Sequence, residues 1–324
     1  QILQEGINEA GAMSSWIAAG TAYANHGVNM APFYIYYSMF GFQRIGDLAW
    51  AAGDLQARGF LIGGTSGRTT LAGEGLQHQD GHSQVFAQFI PNCVSYDPTF
   101  AYELAVIIQD GLRRMFQEQE NIFYYLTTLN ENYHHPAMPE GAREGILKGM
   151  YLFKAGEGDG PRVQLLGCGA ILREVIVAAD LLAQDFGVVA EIWATPGINE
   201  LARDGNDATR WNLLHPDQTP RLPYVSACLE GHPGPVVAAT DYIRLYAEQL
   251  RPFIPRPYLV LGTDGYGRSD TRAQLRRHFE VNSHYIVLAA LKLLADEGAV
   301  PVTKVLEAIE KYGIDADKPN PLTV

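Results

Sequence analysis

The sequence predicts an α/β protein with two domains, each a mostly parallel sheet flanked by helices. Stretches typical of β-strands alternate with stretches typical of helices in both halves of the chain. The length of 324 residues suggests about two domains. A segment rich in glycine and charge, KAGEGDGP at residues 154–161, interrupts the alternation and is the best linker candidate. We therefore predict a first domain at residues 1–153 and a second domain at residues 162–324.

The first domain is predicted to alternate helices and strands up to the linker. Residues 9–26 are predicted to form a helix that Gly27 ends in the left-handed conformation. Asp97 and Pro98 are typical of an N-cap and a first-turn residue, and they predict a helix that runs to Phe116. The other predicted elements are helices at 38–58 and 81–89, and strands at 31–37, 60–64, 92–96 and 122–128.

The same alternation continues in the second domain. Its predicted strands are residues 162–166, 188–194, 236–240 and 258–262, and its predicted helices are 170–186, 198–214, 242–250 and further helices to the end. The stretch RAQLRRHFE at residues 272–280 predicts an exposed or subunit-facing helix. Because ligands bind beyond the carboxyl ends of parallel strands, the polar loop after strand 60–64 is predicted to lie at a binding edge.

Composition limits the kinds of partner. The net charge of −12 argues against nucleic acid and anionic membranes as partners. Three widely spaced cysteines, Cys93, Cys168 and Cys228, indicate buried thiols in a reducing compartment, and we predict a cytoplasmic location. The chain begins at Gln1 without a methionine, so we expect it to be part of a longer polypeptide.

The stretch Leu71–Ser83 concentrates the titratable side chains. Within nine residues it holds Glu74, His78, Asp80 and His82, among several glycines. Carboxylates and imidazoles on a sharply turning loop suit proton transfer, whereas the alternative is a polar loop whose histidines bond to the backbone. Glu9 has two interpretations: it faces solvent, or it is a buried acid with a raised pKa.

Other motifs give weaker signals. The stretch GGTSGRTT at residues 63–70 resembles a phosphate loop only faintly, because the lysine is missing. The GDG at residues 158–160 lies in the linker, and we reject it as a magnesium site. The aromatic cluster between Phe33 and Phe42 is typical of a core, although one or two rings could line the pocket of a flat heterocycle.

Several longer motifs together resemble one family. They are QILQEGINEAGA, PFYIYYSMFGFQRIGDLAWAAGD, GEGLQHQDGHS, TTLNENYHHPAMPEG, NELARDG, RWNLLHP and VLGTDGYGRSD. The chain is similar, essentially from end to end, to the C-terminal portion of homodimeric pyruvate dehydrogenase E1 components, which are thiamine-diphosphate enzymes of the transketolase-like superfamily. The resemblance implies an N-terminally incomplete pyrimidine-binding domain followed by a transketolase C-terminal-like domain.

The resemblance also implies roles for individual residues. Glu9 matches the glutamate that bonds N1′ of the aminopyrimidine, and Tyr37 and Phe40 match aromatics that line the pyrimidine pocket. His78 matches a histidine that faces the substrate, and Glu74 an adjacent carboxyl group. We expect His78 and Glu74 to donate and orient a proton during transfer to a lipoyl disulfide. Asp80 and His82 are secondary candidates.

The implied enzyme decarboxylates pyruvate and transfers the acetyl group to the lipoyl domain of a dihydrolipoyl acetyltransferase. Its cofactors are thiamine diphosphate and Mg²⁺, the metal being held by an N-terminal half that this sequence lacks. We therefore expect no metal site in this chain, a half-complete active site and a second E1 subunit as partner. Two alternatives stay open, namely a dehydrogenase of another short 2-oxo acid such as 2-oxobutyrate, and a non-catalytic dimerisation or docking fragment.

Overall fold

Two sheets organise the computed structural model, which describes residues 2–324. The strands of the described residues are β1 Phe33–Tyr37, β2 Phe60–Gly64, β3 Cys93–Tyr96, β4 Phe123–Thr127, β5 Tyr151–Lys154, β6 Arg162–Gly167, β7 Val189–Ala194, β8 Val236–Ala239 and β9 Tyr258–Leu261. The first sheet has the order β1-β2-β4-β3 and is parallel throughout. The second has the order β5-β7-β6-β8-β9, in which only β5 is antiparallel to its neighbour. The predicted α/β class is confirmed.

Helices connect the strands and cover the sheets. They are α1 Glu9–Gly20, α2 Ala22–His26, α3 Gly41–Asp54, α4 Ser83–Phe89, α5 Ala101–Leu112, α6 Ala142–Lys148, α7 Ile171–Phe186, α8 Ile198–Leu214, α9 Tyr224–Leu229, α10 Leu245–Glu248, α11 Arg272–His278, α12 Ser283–Asp296 and α13 Val302–Lys311. Short 3₁₀ turns lie at Leu76–His78, Arg251–Phe253 and Pro321–Thr323, and α5 continues as a π-helical turn over Arg113–Gln117. Among residues 2–324, no helix combines the length and the apolar composition that crossing a bilayer requires.

The two sheets share one hydrophobic core. Tyr96 and Leu126 of the first sheet belong to the same buried cluster as Val163, Leu165 and Ala194 of the second. Strands buried on both faces are typical of parallel sheets under helices, and β3, β4 and β8 are buried along their whole length. The second sheet begins at Tyr151, upstream of the predicted linker, while the division of the chain at residue 153 stays a prediction.

The predicted helix over residues 9–26 is interrupted at Thr21. The carbonyl of Gly20 accepts a hydrogen bond from the Arg58 backbone N–H at 3.0 Å. A Cβ at residue 20 would lie 2.9 Å from the Arg58 carbonyl oxygen, so the close approach needs glycine. The predicted left-handed cap at Gly27 is confirmed, with φ of 65°.

The predicted N-cap at Asp97 is wrong. The helix begins at Ala101, where the Glu103 carboxylate accepts hydrogen bonds from the backbone N–H groups of Thr99 and Phe100. Asp97 is instead buried between the sheets, and one oxygen accepts hydrogen bonds from the Thr127 hydroxyl at 2.5 Å and the Tyr242 hydroxyl at 3.2 Å. A local turn signal therefore concealed a contact between the domains.

The helix over 272–280 also differs from its prediction. It ends at His278, and its Arg276 is buried rather than exposed. The Arg276 guanidinium pairs with the carboxylates of Glu131 and Glu174, which explains how a charged side chain is accommodated there. The turn before this helix is capped by the Thr271 side chain, which accepts a hydrogen bond from the Gln274 N–H.

The buried Asp97 carboxyl makes stability depend on pH. Burial raises its pKa from 3.8 to about 6, against hydrogen bonds that lower it. A carboxyl whose pKa is raised in the folded state stabilises the fold below the unfolded pKa, and this contribution is lost as the pH rises through the folded pKa. The difference between the two values corresponds to about 3 kcal/mol. We expect the Asp97→Asn variant, measured by urea unfolding, to gain stability relative to wild type between pH 4 and pH 6.5.

The exposed Asp54 offers a matched control, because Asp54→Asn changes the same functional group at the surface. The free energies of unfolding of wild type and Asp54→Asn are compared at each pH. Their difference is expected to vary by less than about 0.5 kcal/mol over that range. If the free energies of unfolding of wild type and Asp97→Asn differ by the same amount at every pH, this result would contradict a raised pKa at Asp97.

Candidate functional site

The loop of residues 65–82, which we call the site loop, leaves the carboxyl end of β2 and leads into α4. It carries Glu74 just before a 3₁₀ turn and His78 as the last residue of that turn. Their side chains are both partly exposed, and His78 Nδ1 lies 3.7 Å from Glu74 Oε2. This atom of His78 is buried without a hydrogen-bond partner, so a small movement would complete the bond to Glu74. The predicted pair of proton-transfer groups is thus brought together.

Two aromatic rings stand against His78. Tyr37 ends β1, the strand next to β2, and Phe40 immediately precedes α3. The His78 ring centroid lies 5.5 Å from that of Tyr37 and 5.2 Å from that of Phe40. Both contacts follow from the parallel pairing of β1 and β2, because their carboxyl ends meet at the same edge.

Glu9 joins this surface through Arg44. Glu9 is the first residue of α1, and its carboxylate forms an ion pair with the Arg44 guanidinium on α3. The same guanidinium lies over the Phe40 ring, 4.4 Å from its centroid. A run of direct contacts therefore connects Glu9, Arg44, Phe40 and His78.

The charge state of Glu9 decides between its two interpretations. Its pKa is lowered, chiefly by a hydrogen bond from its own backbone N–H and further by Arg44. Partial burial acts in the opposite direction without reversing the result. The interpretation of Glu9 as a buried acid with a raised pKa is therefore wrong for this chain, and the group is a carboxylate at neutral pH.

The secondary candidates have other partners. Asp80 is buried, and its Oδ1 accepts hydrogen bonds from the backbone N–H groups of His82 and Ser83, both at 2.9 Å. The carboxylate thus satisfies the free N–H groups at the start of α4.

His82 Nδ1 lies 3.0 Å from Nη2 of the buried Arg68. Since arginine only donates, Nδ1 of His82 accepts and its proton resides on Nε2. Burial, followed by the charge of Arg68, lowers the pKa of His82.

Sequence reasoning did not single out Arg44, Arg68 or Gln79. Arg44 follows Phe40 by four residues, and this spacing is a signal for contact on a helix. Arg68 and Gln79 carry no such signal for their bonds to the second domain, which join Arg68 to the Gly265 carbonyl and Gln79 to the Arg268 N–H. The stretch GGTSGRTT binds that domain: Thr69 and Thr70 bond the carboxylate of Asp241.

Comparisons with known proteins cover nearly the whole chain. Residues 1–136 match the family model of the pyruvate dehydrogenase E1 component middle domain, and residues 149–282 match that of the transketolase-like C-terminal domain. The chain is 64% identical over 326 residues to the pyruvate dehydrogenase E1 component of Cupriavidus necator, covering 100% of this chain and 36% of that protein. It is 61% identical over 323 residues to the component of Escherichia coli K12, covering 99% and 36%. The chain thus spans little more than a third of the length of these curated relatives.

Solved structures share the fold at lower identity. Transketolase from Leishmania mexicana superposes with a TM-score of 0.66 at 16% identity, covering 91% of this chain and 38% of that one. A split gene transketolase, described as an inactive tetramer of four beta subunits, superposes with a TM-score of 0.65 at 15% identity. The match covers 90% of this chain and 83% of that one. At such identities the likeness shows the fold alone.

Arg44 provides a test of the charge state of Glu9. Replacing it in Arg44→Met removes the ion pair, and we expect the pKa of Glu9 to rise. Carboxyl-carbon NMR of the glutamate-labelled chain, with Glu9→Gln to assign the resonance, measures this change. The matched control is Arg210→Met on the exposed side of α8, which is expected to leave the Glu9 titration unchanged. An unchanged pKa in Arg44→Met would show that Arg44 does not act on Glu9.

Proposed function

Because the chain belongs to the family of pyruvate dehydrogenase E1 components, we propose that it carries the pyrimidine-binding half of a thiamine-diphosphate active site. The complete site decarboxylates pyruvate and transfers the acetyl group to a lipoyl group. One observation carries the proposal: contacts through Arg44 and Phe40 connect Glu9 to His78, and His78 lies against Tyr37 and near Glu74. One surface therefore carries the Glu9 carboxylate as a hydrogen-bond acceptor, two aromatic rings, and a pair of groups that can transfer a proton.

The residues present fit the pyrimidine end of thiamine diphosphate, which members of this family use. A flat heterocycle needs an apolar face and a hydrogen-bonding group at its ring nitrogen. The Tyr37 side chain is 47% exposed, so its ring is available for such a contact. Glu9 supplies a carboxylate that keeps lone pairs free beside its bond to Arg44.

The diphosphate end of the cofactor, with its metal ion, needs ligands of another kind. No group of three or more His, Cys, Asp or Glu side chains in residues 2–324 is arranged to hold a metal ion. The relatives are almost three times as long as the matched region, since that region is 36% of each. We therefore propose that the N-terminal part of the complete polypeptide binds Mg²⁺ and the diphosphate.

When bound, thiamine diphosphate supplies an electron sink for the decarboxylation. The lowered pKa keeps Glu9 ionised, so its carboxylate accepts a hydrogen bond from a protonated ring nitrogen and holds the proton there. His78 is placed to give or take a proton, and the Glu74 carboxylate stabilises the protonated imidazole and orients it. The rings of Tyr37 and Phe40 exclude water from one side of His78.

A second E1 subunit is the proposed structural partner. β1 is the edge strand of the first sheet, and Phe33 and Ile35 on it are 48% and 71% exposed. Ile7, just before α1, is 97% exposed. Exposed apolar side chains beside an open sheet edge favour burial by another polypeptide. Pyruvate and the lipoyl domain of an acetyltransferase are the proposed substrates, and the cytoplasmic location stays a prediction.

The decisive experiment compares the chain alone with the chain joined to the N-terminal part of the Escherichia coli relative. Pyruvate-dependent reduction of an artificial electron acceptor is measured with thiamine diphosphate and Mg²⁺. We expect activity only in the joined polypeptide, because we propose that its N-terminal part binds the metal and the diphosphate. Glu9→Gln is expected to lower this activity about 100-fold or more, because a neutral amide does not hold a proton on the ring nitrogen as the carboxylate does.

His78 is expected to act mainly in the transfer step. His78→Ala should lower acetylation of a lipoyl domain by about 100-fold while reducing the artificial acceptor rate less. The control is His26→Ala, which changes an exposed histidine at the end of α2. Full activity of Glu9→Gln, or an inactive joined polypeptide that is folded and dimeric, would contradict the proposal.

A further inference from the structure

The second domain bonds the site loop, which carries Glu74 and His78, along its length. The loop spans 18 residues without a strand, and a loop of that length needs other contacts to hold one conformation. Three segments of the second domain provide them: residues 241–243 after β8, residues 265–270 after β9, and α11.

Asp241 fastens the beginning of the site loop. The side chain is buried, and its Oδ1 accepts hydrogen bonds from the Thr69 N–H at 2.9 Å and the Thr69 hydroxyl at 2.7 Å. Its Oδ2 accepts a bond from the Thr70 hydroxyl at 2.6 Å. The Asp241 carbonyl accepts a further bond from the Arg68 N–H at 3.1 Å. A buried carboxylate with three donors from one loop holds that loop strongly, because charge-assisted bonds are about twice as strong as neutral ones.

Gln79 fastens the part of the loop next to His78. Its side chain is fully buried, and Oε1 accepts a hydrogen bond from the Arg268 N–H at 2.7 Å. Its Nε2 donates to the Leu71 carbonyl at 3.0 Å, which closes the loop across its own base. One amide group thus ties the residue beside His78 both to the second domain and to the start of the 71–83 stretch.

Ser269 fastens the loop at Glu74. Its hydroxyl donates to the Glu74 carbonyl at 2.6 Å, and the neighbouring Asp270 carbonyl accepts from the Gly73 N–H at 3.3 Å. The backbones also approach closely: a Cβ at Gly267 would lie 2.4 Å from the Leu76 carbonyl oxygen. The end of the loop is bonded as well, since the Ile243 N–H donates to the Gly81 carbonyl at 3.0 Å.

From these contacts we infer that Gln79, Asp241 and Ser269 are positioning residues through which the second domain sets the geometry of Glu74 and His78. They hold the backbone that carries the pair, so that His78 stays against Tyr37 and Phe40. The catalytic consequence of this inference rests on the proposed function, whereas the restraint of the loop does not. Misplacing a reacting group by about 1 Å can cost 100-fold in rate.

Amide hydrogen exchange of this chain tests the restraint directly. We expect exchange of peptides within residues 65–82 to be about tenfold faster in Gln79→Met than in wild type, because both side-chain bonds are lost. Gln79→Glu keeps an acceptor for the Arg268 N–H and is expected to stay closer to wild type. Peptides from α8 and from α12 should exchange at wild-type rates in every variant. The matched control is Gln218→Met, at an exposed glutamine between α8 and α9.

A second readout reports on the His78 side chain. The rate at which diethyl pyrocarbonate modifies His78, measured against the exposed His26 in the same sample, is expected to rise in Gln79→Met and to be restored in Gln79→Glu. A global loss of stability would also accelerate exchange of the peptides from α8 and α12, which distinguishes it from a local release of His78. Ser269→Ala removes only one surface hydroxyl, so we expect this variant to fold, and it should accelerate exchange at residues 72–75.

The outcomes separate the two proposals. Wild-type exchange and wild-type His78 reactivity in folded Gln79→Met and Ser269→Ala would overturn the positioning role. In the joined polypeptide, Gln79→Met is expected to lose about 100-fold in kcat with a smaller change in KM for pyruvate, and Gln79→Glu to recover most of it. If the joined wild-type polypeptide is inactive, the proposed function fails, and the exchange results still decide whether the second domain restrains the loop.

Discussion

Buried hydrogen bonds between the two domains are the constraint on which the rest of the structure depends. Asn199 on α8 is fully buried, and its Nδ2 donates to the Gln84 carbonyl at 2.8 Å and to the Ser95 hydroxyl at 2.7 Å. Next to it, Glu200 Oε1 accepts from the Ser95 N–H at 3.1 Å. Losing a partner from such a buried group costs about 1–3 kcal/mol. Because α8 and β3 satisfy one another in this way, separating the domains would leave several groups unpaired at once.

The shared hydrophobic core also holds the two domains together. The cluster that contains Tyr96, Leu126 and Leu165 draws side chains from both sheets, so pulling the domains apart would expose apolar surface of each. The apolar contacts supply the attraction, and the polar contacts select one relative placement. The sites of Asp97, Asn199 and Asp241 are therefore features of the interface rather than of either domain. This explains why a loop of the first domain takes its conformation from the second.

Ion pairs also join the two domains at the segment between β4 and α6. Glu131 accepts from Arg173 Nη1 at 2.7 Å and Arg276 Nη2 at 2.5 Å, and its pKa is lowered because these arginines outweigh its partial burial. Both arginines belong to the second domain, whereas Glu131 lies in a stretch without regular structure. Within the first domain, the ion pair of Glu9 and Arg44 joins α1 to α3. Ion pairs thus fasten the irregular and terminal parts of the fold to its rigid helices.

The sequence by itself determined what depends on local pattern. Strand 60–64 and helix 198–214 are found with the predicted bounds, because their hydrophobic periodicity is read over a few neighbouring residues. The positions of Glu74 and His78 on a loop after β2 were likewise predictable from the alternation and the motif. Asp80 and Asp97 show the limit of local pattern. A carboxylate before a helix has the same local signature whether it bonds the start of the helix, as Asp80 does, or bonds across an interface, as Asp97 does.

Only the tertiary structure decided that Thr69 meets Asp241 and that Gln79 meets Arg268, residues 172 and 189 positions apart. Such contacts follow from how two finished sheets pack, and no periodicity within either segment encodes them.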